Sequence, residues 1–476
     1  MPGSPGESEY GLVGIVDYAT YVPVYRLRRE IIAEQWCARS AGGRKAVSNF
    51  DEDSLTLAYE TAWSLVGRNA PVGALYFAST TSPYWQRACS SLIAAACDLP
   101  DELDTMDFGG TVRAGTAALR AAFNSVAAGT NRKVIVTAAD VRDGAPESPE
   151  EQTFGDAAAA VVVGQEGVIA EVIAQTSRSD DFFDEWRRDR DACVTAIASR
   201  YAVERGYEAN VVAAAQQILR MANLKPADVK YLALSSPDGR AHIKAARKLG
   251  FDTGQLVDVP LEDVGITGTA MSLALLCAAL DRAEAGALIL VVGYGDGADA
   301  VLLRMTGQRP KRAEHPGNGN ASIEIPSYAM YRKLRDFNRR GPEDGAVISN
   351  VMFEQEERQN IRLHAGRCSS CGTVQFPFAP VCAKCHVRNV LKEVPMARCG
   401  AIFTFTKDYL YAGPTQPTVM AVIELGDGAR FYCQMTDVEP QKVRIGMPVN
   451  LTLRRLKDGG GMHHYYWKCR PAQEPA

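Results

Sequence analysis

Apolar residues in the first three hundred positions follow two alternating patterns. Short runs that are apolar throughout, such as ALYFA at 74–78 and ALILVVG at 287–293, are typical of strands covered on both faces. Between such runs lie stretches with helical spacing of apolar residues, such as SLTLAYETAWSL at 54–65 and VVAAAQQIL at 211–219. Because strands and helices alternate, the pattern predicts an α/β fold built on a largely parallel sheet.

The same order of elements occurs twice along the chain. DFGGT at 107–111 corresponds to DVGIT at 263–267, and each leads into an alanine-rich helix followed by an apolar strand. The small residues of both helices favour their burial between sheets in close contact. We therefore predict two related halves at 10–165 and 166–306. Two unrelated Rossmann-like units are the alternative.

Two C-x-x-C pairs, CSSC and CAKC, lie ten residues apart in the last third of the chain. Four thiolates at this spacing enclose one tetrahedral zinc ion without an open position, which predicts a structural Zn²⁺ site. The predicted ligands are Cys368, Cys371, Cys382 and Cys385. Disulfides or idle thiols are the alternative.

Five segments of alternating apolar residues follow, separated by Gly and Pro, and they predict a five-stranded closed β-barrel of the OB type. They are AIFTFTK, TVMAVIEL, ARFYCQMT, PVNLTLRRL and MHHYYWKCRP. The predicted organisation is a flexible tail at 1–9, the two halves, a Pro- and Gly-rich linker at 307–325, a helix plus zinc ribbon at 326–390, and the barrel at 391–476.

Composition and charge argue against several classes of partner. The chain of 476 residues has a formal net charge of −4 and a pI near 6.0. It therefore lacks the basic field that nucleic acid or an anionic membrane would attract. No apolar run reaches the length of a membrane-spanning helix. The N-terminal MPGSPGESE has no basic segment followed by an apolar run, so we expect a cytoplasmic protein without a secretion signal.

Short motifs in residues 10–306 carry a family resemblance. They are VRAGTAAL at 112–119, Tyr21 and Pro23 of a YxP segment, FGDAAAA at 154–160, SSPDG at 235–239 and KLGF at 248–251. Together they resemble the thiolase superfamily, and within it the archaeal and bacterial 3-hydroxy-3-methylglutaryl-CoA synthases. The resemblance implies pseudo-duplicated α-β-α-β-α layers, an acyl-CoA ligand or substrate, and a homodimer.

The residues that carry catalysis in that family differ here. In the family, a cysteine at the start of a buried helix attacks an acyl-CoA thioester, and the helix dipole lowers the pKa of its thiol. The resemblance places Val112 at the cysteine, Thr80 at a general acid/base glutamate, Ser235 at a histidine and Ile266 in a Gly-Asn segment. Valine neither ionises nor forms a thioester. The glycines at 109–110 and in YGDG at 294–297 fit either a pantetheine tunnel or tight turns alone.

We expect no other thiol or imidazole to replace the missing nucleophile. His315 lies in the predicted linker, and His242 lies in a polar helix where a solvated or capping role is expected. Cys89, Cys97 and Cys277 lie in apolar helical contexts, where buried structural cysteine is the usual case.

The order of helix, zinc ribbon and barrel over residues 326–476 resembles accessory proteins of thiolases, which implies acyl-CoA handling and complex assembly. Its helix at 327–340 carries an aromatic and apolar stripe on a basic background. The stripe consists of Tyr328, Tyr331, Leu334 and Phe337. We favour docking of this helix on its own domain; contact with a partner or with CoA phosphates is the alternative.

These observations predict an atypical subunit of an acyl-CoA thiolase or Claisen-type complex. The chain would bind a CoA thioester, while a catalytic thiolase partner in a hetero-oligomer would supply the reactive cysteine. One alternative is an acyl-CoA retro-aldol lyase, with Tyr84, Asp107 and Tyr294 as candidates for proton transfer. The other is an acyltransferase or synthase with relocated residues, which the missing cysteine disfavours.

Overall fold

The computed structural model describes residues 12–188, 191–197, 200–258, 261–310, 322–340, 349–410, 416–459 and 461–472. The predicted tail at 1–9 and positions 311–321 of the predicted linker, His315 included, lie outside these residues. Within the described part, no helix is long and apolar enough to cross a membrane.

The strands up to residue 324 precede the zinc ribbon. They are β1 Gly14–Tyr21, β2 Tyr25–Arg28, β3 Arg44–Val47, β4 Ala74–Ala78, β5 Asp104–Phe108, β6 Lys133–Asp140, β7 Ala157–Gly164, β8 Ala170–Ser179, β9 Glu185–Trp186, β10 Thr195–Ala196, β11 Tyr231–Leu234, β12 Leu288–Tyr294, β13 Gly297–Met305 and β14 Ile323–Glu324. The later strands are β15 His364–Cys368, β16 Val374–Gln375, β17 Leu391–Pro395, β18 Cys399–Asp408, β19 Thr418–Leu425, β20 Arg430–Gln434, β21 Pro448–Gly459 and β22 Met462–Pro471.

The α-helices lie mainly in the first three hundred residues. They are α1 Arg29–Gln35, α2 Ser54–Asn69, α3 Cys89–Ala96, α4 Ala114–Ala127, α5 Pro149–Thr153, α6 Ala209–Met221, α7 Ala241–Leu249, α8 Ala270–Arg282, α9 Tyr328–Arg340, α10 Asn350–Gln355 and α11 Glu357–Asn360. A π-helix, Ala202–Glu208, leads directly into α6.

Nine strands form one sheet in the order β11-β12-β13-β8-β1-β7-β6-β4-β5. Its two halves meet where β1 pairs briefly with β8. Among the described strand pairs of this nine-stranded sheet, only β4–β5, β4–β6 and β11–β12 are parallel, so the sheet is mixed and the expectation of a largely parallel sheet was wrong. The apolar composition of a strand does not reveal its direction. For example, β13 follows β12 through a tight turn that only an antiparallel pair can close.

Residues of the central strands alternate between two apolar cores. Leu75 and Phe77 of β4 join the core that contains α2, whereas Tyr76 joins the core that contains α4 and α8. The two central helices approach so closely that a Cβ on Gly115 would lie 2.5 Å from the carbonyl oxygen of Thr269. The predicted duplication and the burial of both central helices are therefore confirmed.

The C-terminal part forms the predicted ribbon and barrel. Strands β16-β15-β17 make a small sheet around the cysteine pairs, and β20-β19-β18-β21-β22 make a five-stranded antiparallel sheet. A bridge between Met435 and Cys469 joins the end of β20 to β22 and closes the barrel. All five predicted barrel strands are confirmed.

The barrel docks on the first half of the same chain through a buried ion cluster. Arg454 of β21 has no exposed surface and pairs with Glu52 at 3.0 Å and with Asp437 at 2.6 Å. Two further ion pairs, Lys468–Asp51 at 2.8 Å and Arg470–Glu60 at 2.6 Å, cross the same contact. Aromatic side chains from α2 and β22 share one apolar core beside the cluster. The zinc-ribbon and barrel module is thus engaged by its own chain.

Helix α9 also packs on the first half rather than on the module that follows it. Tyr331 and Leu334 are fully buried against Leu27, Ile32 and Val47. The expectation that the helix docks is confirmed, but the surface is that of the first half, because the apolar stripe specifies burial and not its partner. The side chain of Phe337 lies outside the described part.

Candidate functional site

A cavity of about 740 Å³ opens where the loops that follow several strands of the nine-stranded sheet converge. Its wall includes all four positions singled out by the sequence: Thr80, Val112, Ser235 and Ile266. They come from the loop after β4, the start of α4, the loop after β11 and the segment before α8. Positions far apart in the sequence therefore meet in one cavity.

Val112 lies two residues before α4, where a side chain would receive the positive end of the helix dipole. Gly295 passes directly over it: a Cβ on that glycine would lie 3.0 Å from Val112 Cγ2 and 2.5 Å from Thr111 Oγ1. Gly295 has a φ of 150°, a conformation that other residues rarely adopt. This close packing accounts for the glycine in the YGDG turn without a ligand.

The hydroxyl of Thr80 is held by a buried carboxylate. It donates to Asp140 at 2.9 Å, and the backbone N–H of Thr80 donates to the same side chain at 2.7 Å. Asp140 also accepts hydrogen bonds from Ser79 and from the N–H of Thr269 at the start of α8. Asp140 therefore ties together two loops of the cavity wall, and Thr80 is a structural partner of this carboxylate.

Ser235 belongs to a group of polar side chains built on two tyrosines. Its Oγ accepts a hydrogen bond from the N–H of Tyr294 at 3.0 Å, and its carbonyl accepts one from Tyr207 at 2.7 Å. The tyrosine rings meet edge to face at 5.1 Å. The hydroxyl of Tyr294 donates to Asp184, whose pKa is raised by burial. The π-helix that contains Tyr207 passes Tyr294 at Gly206, where a Cβ would lie 2.7 Å from the tyrosine hydroxyl.

The proton-transfer candidates from the sequence have different places. Tyr84 and Tyr294 line the cavity, whereas Asp107 accepts hydrogen bonds from the N–H groups of Cys89 and Ser90 and thereby caps α3. The hydroxyl of Tyr84 accepts from the N–H of His463 in the barrel at 2.9 Å. Tyr294 is the one of the three that both faces the cavity and holds a carboxylate partner.

Thiols and imidazoles are absent from the described residues that line the cavity. Burial raises the pKa of Cys89 to about 11 and that of Cys97 to about 12, and it raises the pKa of Cys277 as well. These thiols are therefore protonated at neutral pH and unsuited to nucleophilic attack.

His242 is half-buried beside the cavity wall, and α7 has no side-chain cap, so the structure does not support the capping role that the sequence left open for it. Its Nδ1 lies 3.2 Å from the Oγ of Ser236, a residue of the cavity wall, and burial lowers its pKa. The Ser236 hydroxyl also donates to the backbone carbonyl of Asp238.

Sequence reasoning missed four polar residues of the site: Asp140, Arg142, Tyr207 and Asp184. Arg142 is 2% exposed, its guanidinium lies 4.0 Å from the centre of the Phe154 ring, and it pairs with Glu185. A signal was present for the first two, since Asp140 is the last residue of the buried strand β6 and Arg142 lies two positions beyond it, and polar residues at strand ends commonly line sites in such folds. Asp184 lies in an irregular segment whose sequence gave no signal.

The four predicted zinc ligands come together in the ribbon. Their sulfur atoms all lie within 4.8 Å of one another, with Cys368–Cys385 and Cys371–Cys382 Sγ–Sγ distances of 3.6 Å. Zn–S bonds of about 2.3 Å in a tetrahedron place sulfur atoms about 3.8 Å apart. The cluster therefore has the size and the donor set that suit one zinc ion.

Three regions of the chain match known protein families. Residues 219–305 match the C-terminal part of 3-oxoacyl-[acyl-carrier-protein (ACP)] synthase III. Residues 356–390 match the rubredoxin-like zinc ribbon domain of ChsH2, and residues 393–454 match the C-terminal OB-fold domain of ChsH2. The predicted ribbon and OB barrel are thus confirmed by family as well as by architecture.

Individual proteins match over the whole first part of the chain. A hydroxymethylglutaryl-CoA synthase of Methanopyrus kandleri is 35% identical over 298 residues, which cover 60% of this chain and 85% of that protein. One from Methanothermobacter thermautotrophicus is 31% identical over 341 residues, which cover 68% of this chain and 98% of that protein.

Solved structures show the same fold at lower identity. A hydroxymethylglutaryl-CoA synthase complexed with CoA superposes with a TM-score of 0.60 at 17% identity, covering 71% of this chain and 92% of that one. The 3-oxoacyl-(acyl carrier protein) synthase III of Pseudomonas aeruginosa PAO1 superposes with a TM-score of 0.57 at 17% identity, covering 63% and 100%. The pseudo-duplicated thiolase-like fold is confirmed.

Proposed function

Because the chain belongs to the hydroxymethylglutaryl-CoA synthase family of the thiolase superfamily, we propose that its cavity binds a CoA thioester without forming an acyl-enzyme. In this proposal the chain is an atypical subunit of a cytoplasmic acyl-CoA thiolase or Claisen-type complex. A partner thiolase supplies the reactive cysteine, and a structural zinc ion folds the ribbon.

Val112 is the observation that carries the proposal. It lies in the cavity at the start of α4, where the family resemblance expects a thiol, and it has no ionisable group. The other expected catalytic positions hold Thr80, Ser235 and Ile266. Thr80 and Ser235 are engaged by Asp140 and Tyr294 respectively, and Ile266 carries only hydrocarbon. Together they support a site that has kept a cavity and has lost covalent acyl transfer.

Because the zinc-ribbon and barrel module docks on its own chain, we expect a partner to bind a different surface of the protein. One face of the barrel is covered by residues of the same polypeptide, including Asp51 and Glu60, so this face is not available to a partner protein. Strand β5 is an end strand of the nine-stranded sheet, and it exposes Met106. Because an end strand offers unpaired backbone groups, we place the homodimer or the thiolase contact at this edge.

The test compares the isolated chain with the chain co-expressed with a thiolase. After incubation with acetyl-CoA, intact mass spectrometry of the isolated protein should show no added acetyl group, whereas calorimetry should show binding of the thioester. A Val112→Trp variant places an indole in the cavity and should weaken that binding without unfolding the barrel. Thiolytic turnover or an acyl adduct on the isolated wild-type chain would contradict the proposal.

A second candidate function is favoured by the Tyr294–Asp184 pair. In a retro-aldol cleavage, the β-hydroxyl proton of the substrate passes to Tyr294 Oη while the tyrosine gives its own proton to Asp184. The Cα–Cβ bond then breaks, a carbonyl compound leaves, and the acyl-CoA enolate takes a proton from water; the hydroxide formed takes the proton from Asp184, which is ionised again. This route needs no cysteine.

The lyase candidate has its own test. The isolated chain is assayed for carbonyl release from β-hydroxyacyl-CoA esters, and Tyr294→Phe should abolish that release, whereas the cavity residue Tyr84, changed to Phe, serves as the matched control. Because the pathway needs Asp184 ionised, and burial raises the pKa of Asp184, the rate should rise with pH through that raised pKa. Equal rates for Tyr294→Phe and the wild type would exclude this role.

A further inference from the structure

Residues 181–188 and 191–197 form a flap over the cavity, and none of these described residues is buried. The flap contains β9 and β10, two strands of two residues each that pair with one another. Three consecutive flap residues, Asp184, Glu185 and Trp186, line the cavity. A segment with few buried apolar contacts has low local stability. The position of the flap therefore depends on its polar contacts with the cavity wall.

Arg142 gives the flap a rigid point of attachment on that wall. Its side chain is 2% exposed, its guanidinium lies 4.0 Å from the centre of the Phe154 ring, and a Cβ on Gly268 would lie 2.7 Å from its Cδ. One Nη donates to Glu185, and no other described acidic side chain forms an ion pair with Arg142. Because Arg142 is fixed by packing and Glu185 belongs to the weakly packed flap, the arginine determines where the glutamate lies.

The residue before Glu185 is Asp184, the carboxylate that accepts the hydrogen bond from Tyr294. Adjacent residues are joined by one planar peptide unit, so a displacement of Glu185 also displaces Asp184. Tyr294 ends β12 of the large sheet, where its N–H donates to Ser235 and its ring packs against Tyr207. The hydroxyl is thus held by the sheet, whereas its carboxylate partner is held by the flap.

We propose that Arg142 is a positioning residue: through Glu185 it holds the flap in place and thereby keeps Asp184 at the hydroxyl of Tyr294. This inference rests on the second candidate function, the lyase, in which Asp184 takes the proton of Tyr294. When the flap leaves the wall, the cavity is open and the proton acceptor is absent. When the flap returns, the cavity is covered and the acceptor is in place. In this role Arg142 acts through the flap and not on the substrate.

Hydrogen–deuterium exchange of the flap, measured by mass spectrometry on the full chain, tests the contact without any substrate. The Glu185 side chain is 31% exposed, so Glu185→Ala removes the contact without opening a core. It should speed exchange of the flap about tenfold, as expected for the loss of a hydrogen bond between charged groups. Arg142→Met should give the same increase. Arg188→Ala removes an exposed ion pair with Asp191 in the same flap and should leave exchange unchanged. Equal exchange of the wild type and Glu185→Ala would overturn the inference.

A double variant tests whether the arginine positions Asp184 in particular. Tyr294→Phe removes the hydrogen bond to Asp184 and should also speed exchange of the flap. If Glu185 is needed to bring Asp184 to the tyrosine, that bond is already weakened in Glu185→Ala. The double variant should then exchange more slowly than the product of the two single effects. Effects that multiply independently would contradict the positioning role.

The cleavage assay on β-hydroxyacyl-CoA esters adds a readout that a purely structural contact would not change. Glu185→Ala should lower kcat about tenfold, a fraction of the full contribution of a positioned proton acceptor. Burial and the charges of Glu185 and Asp296 raise the pKa of Asp184, whereas the hydrogen bond from Tyr294 lowers it. Glu185→Gln keeps an acceptor for Arg142 and removes one of these charges, so kcat should persist and its rise with pH should move to lower pH. An unchanged kcat in Glu185→Ala would overturn the inference. Absence of cleavage by the wild type would overturn the lyase function, whereas the exchange measurements decide the contact separately.

Discussion

Replacing Arg454 with methionine is expected to destabilise the contact between the barrel and the first half more than any single surface change in the barrel. The guanidinium is fully buried and lies 3.0 Å from Glu52, 2.6 Å from Asp437 and 3.7 Å from Asp51. Methionine fills the volume but leaves these carboxyl groups without their shared cation. Breaking a buried ion pair in this way costs about 3 to 5 kcal/mol.

The loss of stability in the Arg454 variant comes from the balance of charges in the buried cluster. Burial raises the pKa of Glu52, whereas Arg454 and the hydrogen bond that Tyr21 donates favour its ionised form. The positive charges of Arg454, Lys468 and Arg470 face the carboxyl groups of Glu52, Asp437, Asp51 and Glu60. Removing Arg454 takes one cation from this buried cluster, and proton uptake by a neighbouring carboxyl group recovers only part of the loss.

The assay is the free energy of unfolding from urea titrations followed by circular dichroism. The matched control is Arg430→Met, which removes an ion pair to Glu424 on the same barrel whose side chains are 54% and 52% exposed. That exposed pair should contribute less than about 1 kcal/mol. Equal losses of unfolding free energy in the two variants would refute the reasoning that the buried Arg454 cluster stabilises the protein more than an exposed ion pair does.

Three further predictions concern other parts of the chain. Chelation of zinc, or Cys371→Ser, should unfold the ribbon because metal binding and folding are coupled there; unchanged protease resistance of residues 356–390 would contradict this. Burial lowers the pKa of Lys45 to about 7, so between pH 7 and 10.5 the unfolded chain binds a proton that the folded chain does not. The free energy of unfolding should therefore rise with pH across that window, by up to about 5 kcal/mol relative to Lys45→Met, in urea titrations. Parallel pH profiles of the wild type and Lys45→Met would contradict the lowered pKa. Gly115→Ala places a methyl group 2.5 Å from the Thr269 carbonyl oxygen and should lower the free energy of unfolding by about 1 to 3 kcal/mol. Gly67→Ala in α2 meets open space and should raise it by about 0.5 to 1 kcal/mol. Thermal unfolding measures both variants.

Local pattern was sufficient for much of the architecture. The five barrel strands, the cysteine cluster and the duplicated helices α4 and α8 each leave a periodic or spaced signal within a short window. The resemblance added the four cavity positions, because Val112 and its companions lie in short motifs at fixed places. The glycines had two interpretations in sequence, and only the structure shows that Gly295 is needed to pass over Val112.

The sequence alone did not predict the polar contacts between residues far apart in the chain. The hydrogen bond of Tyr294 to Asp184 and the ion pair of Arg454 with Glu52 join residues more than a hundred positions apart. Neither pair has a periodicity that marks it, since burial of a charge depends on which surfaces meet in three dimensions. The same reason explains why the stripe on α9 predicted burial but not the surface on which the helix is buried.

Because the barrel docks on its own chain, the module and the α/β part are present in a one-to-one ratio. A tethered module faces its docking surface at an effective concentration in the millimolar range, so a free copy of a similar protein in the same cell would compete poorly for that surface. Each copy of the α/β part therefore carries one ribbon-and-barrel module regardless of how strongly either would bind as a separate chain. Variation in expression level changes how many such units exist, and it leaves their composition unchanged.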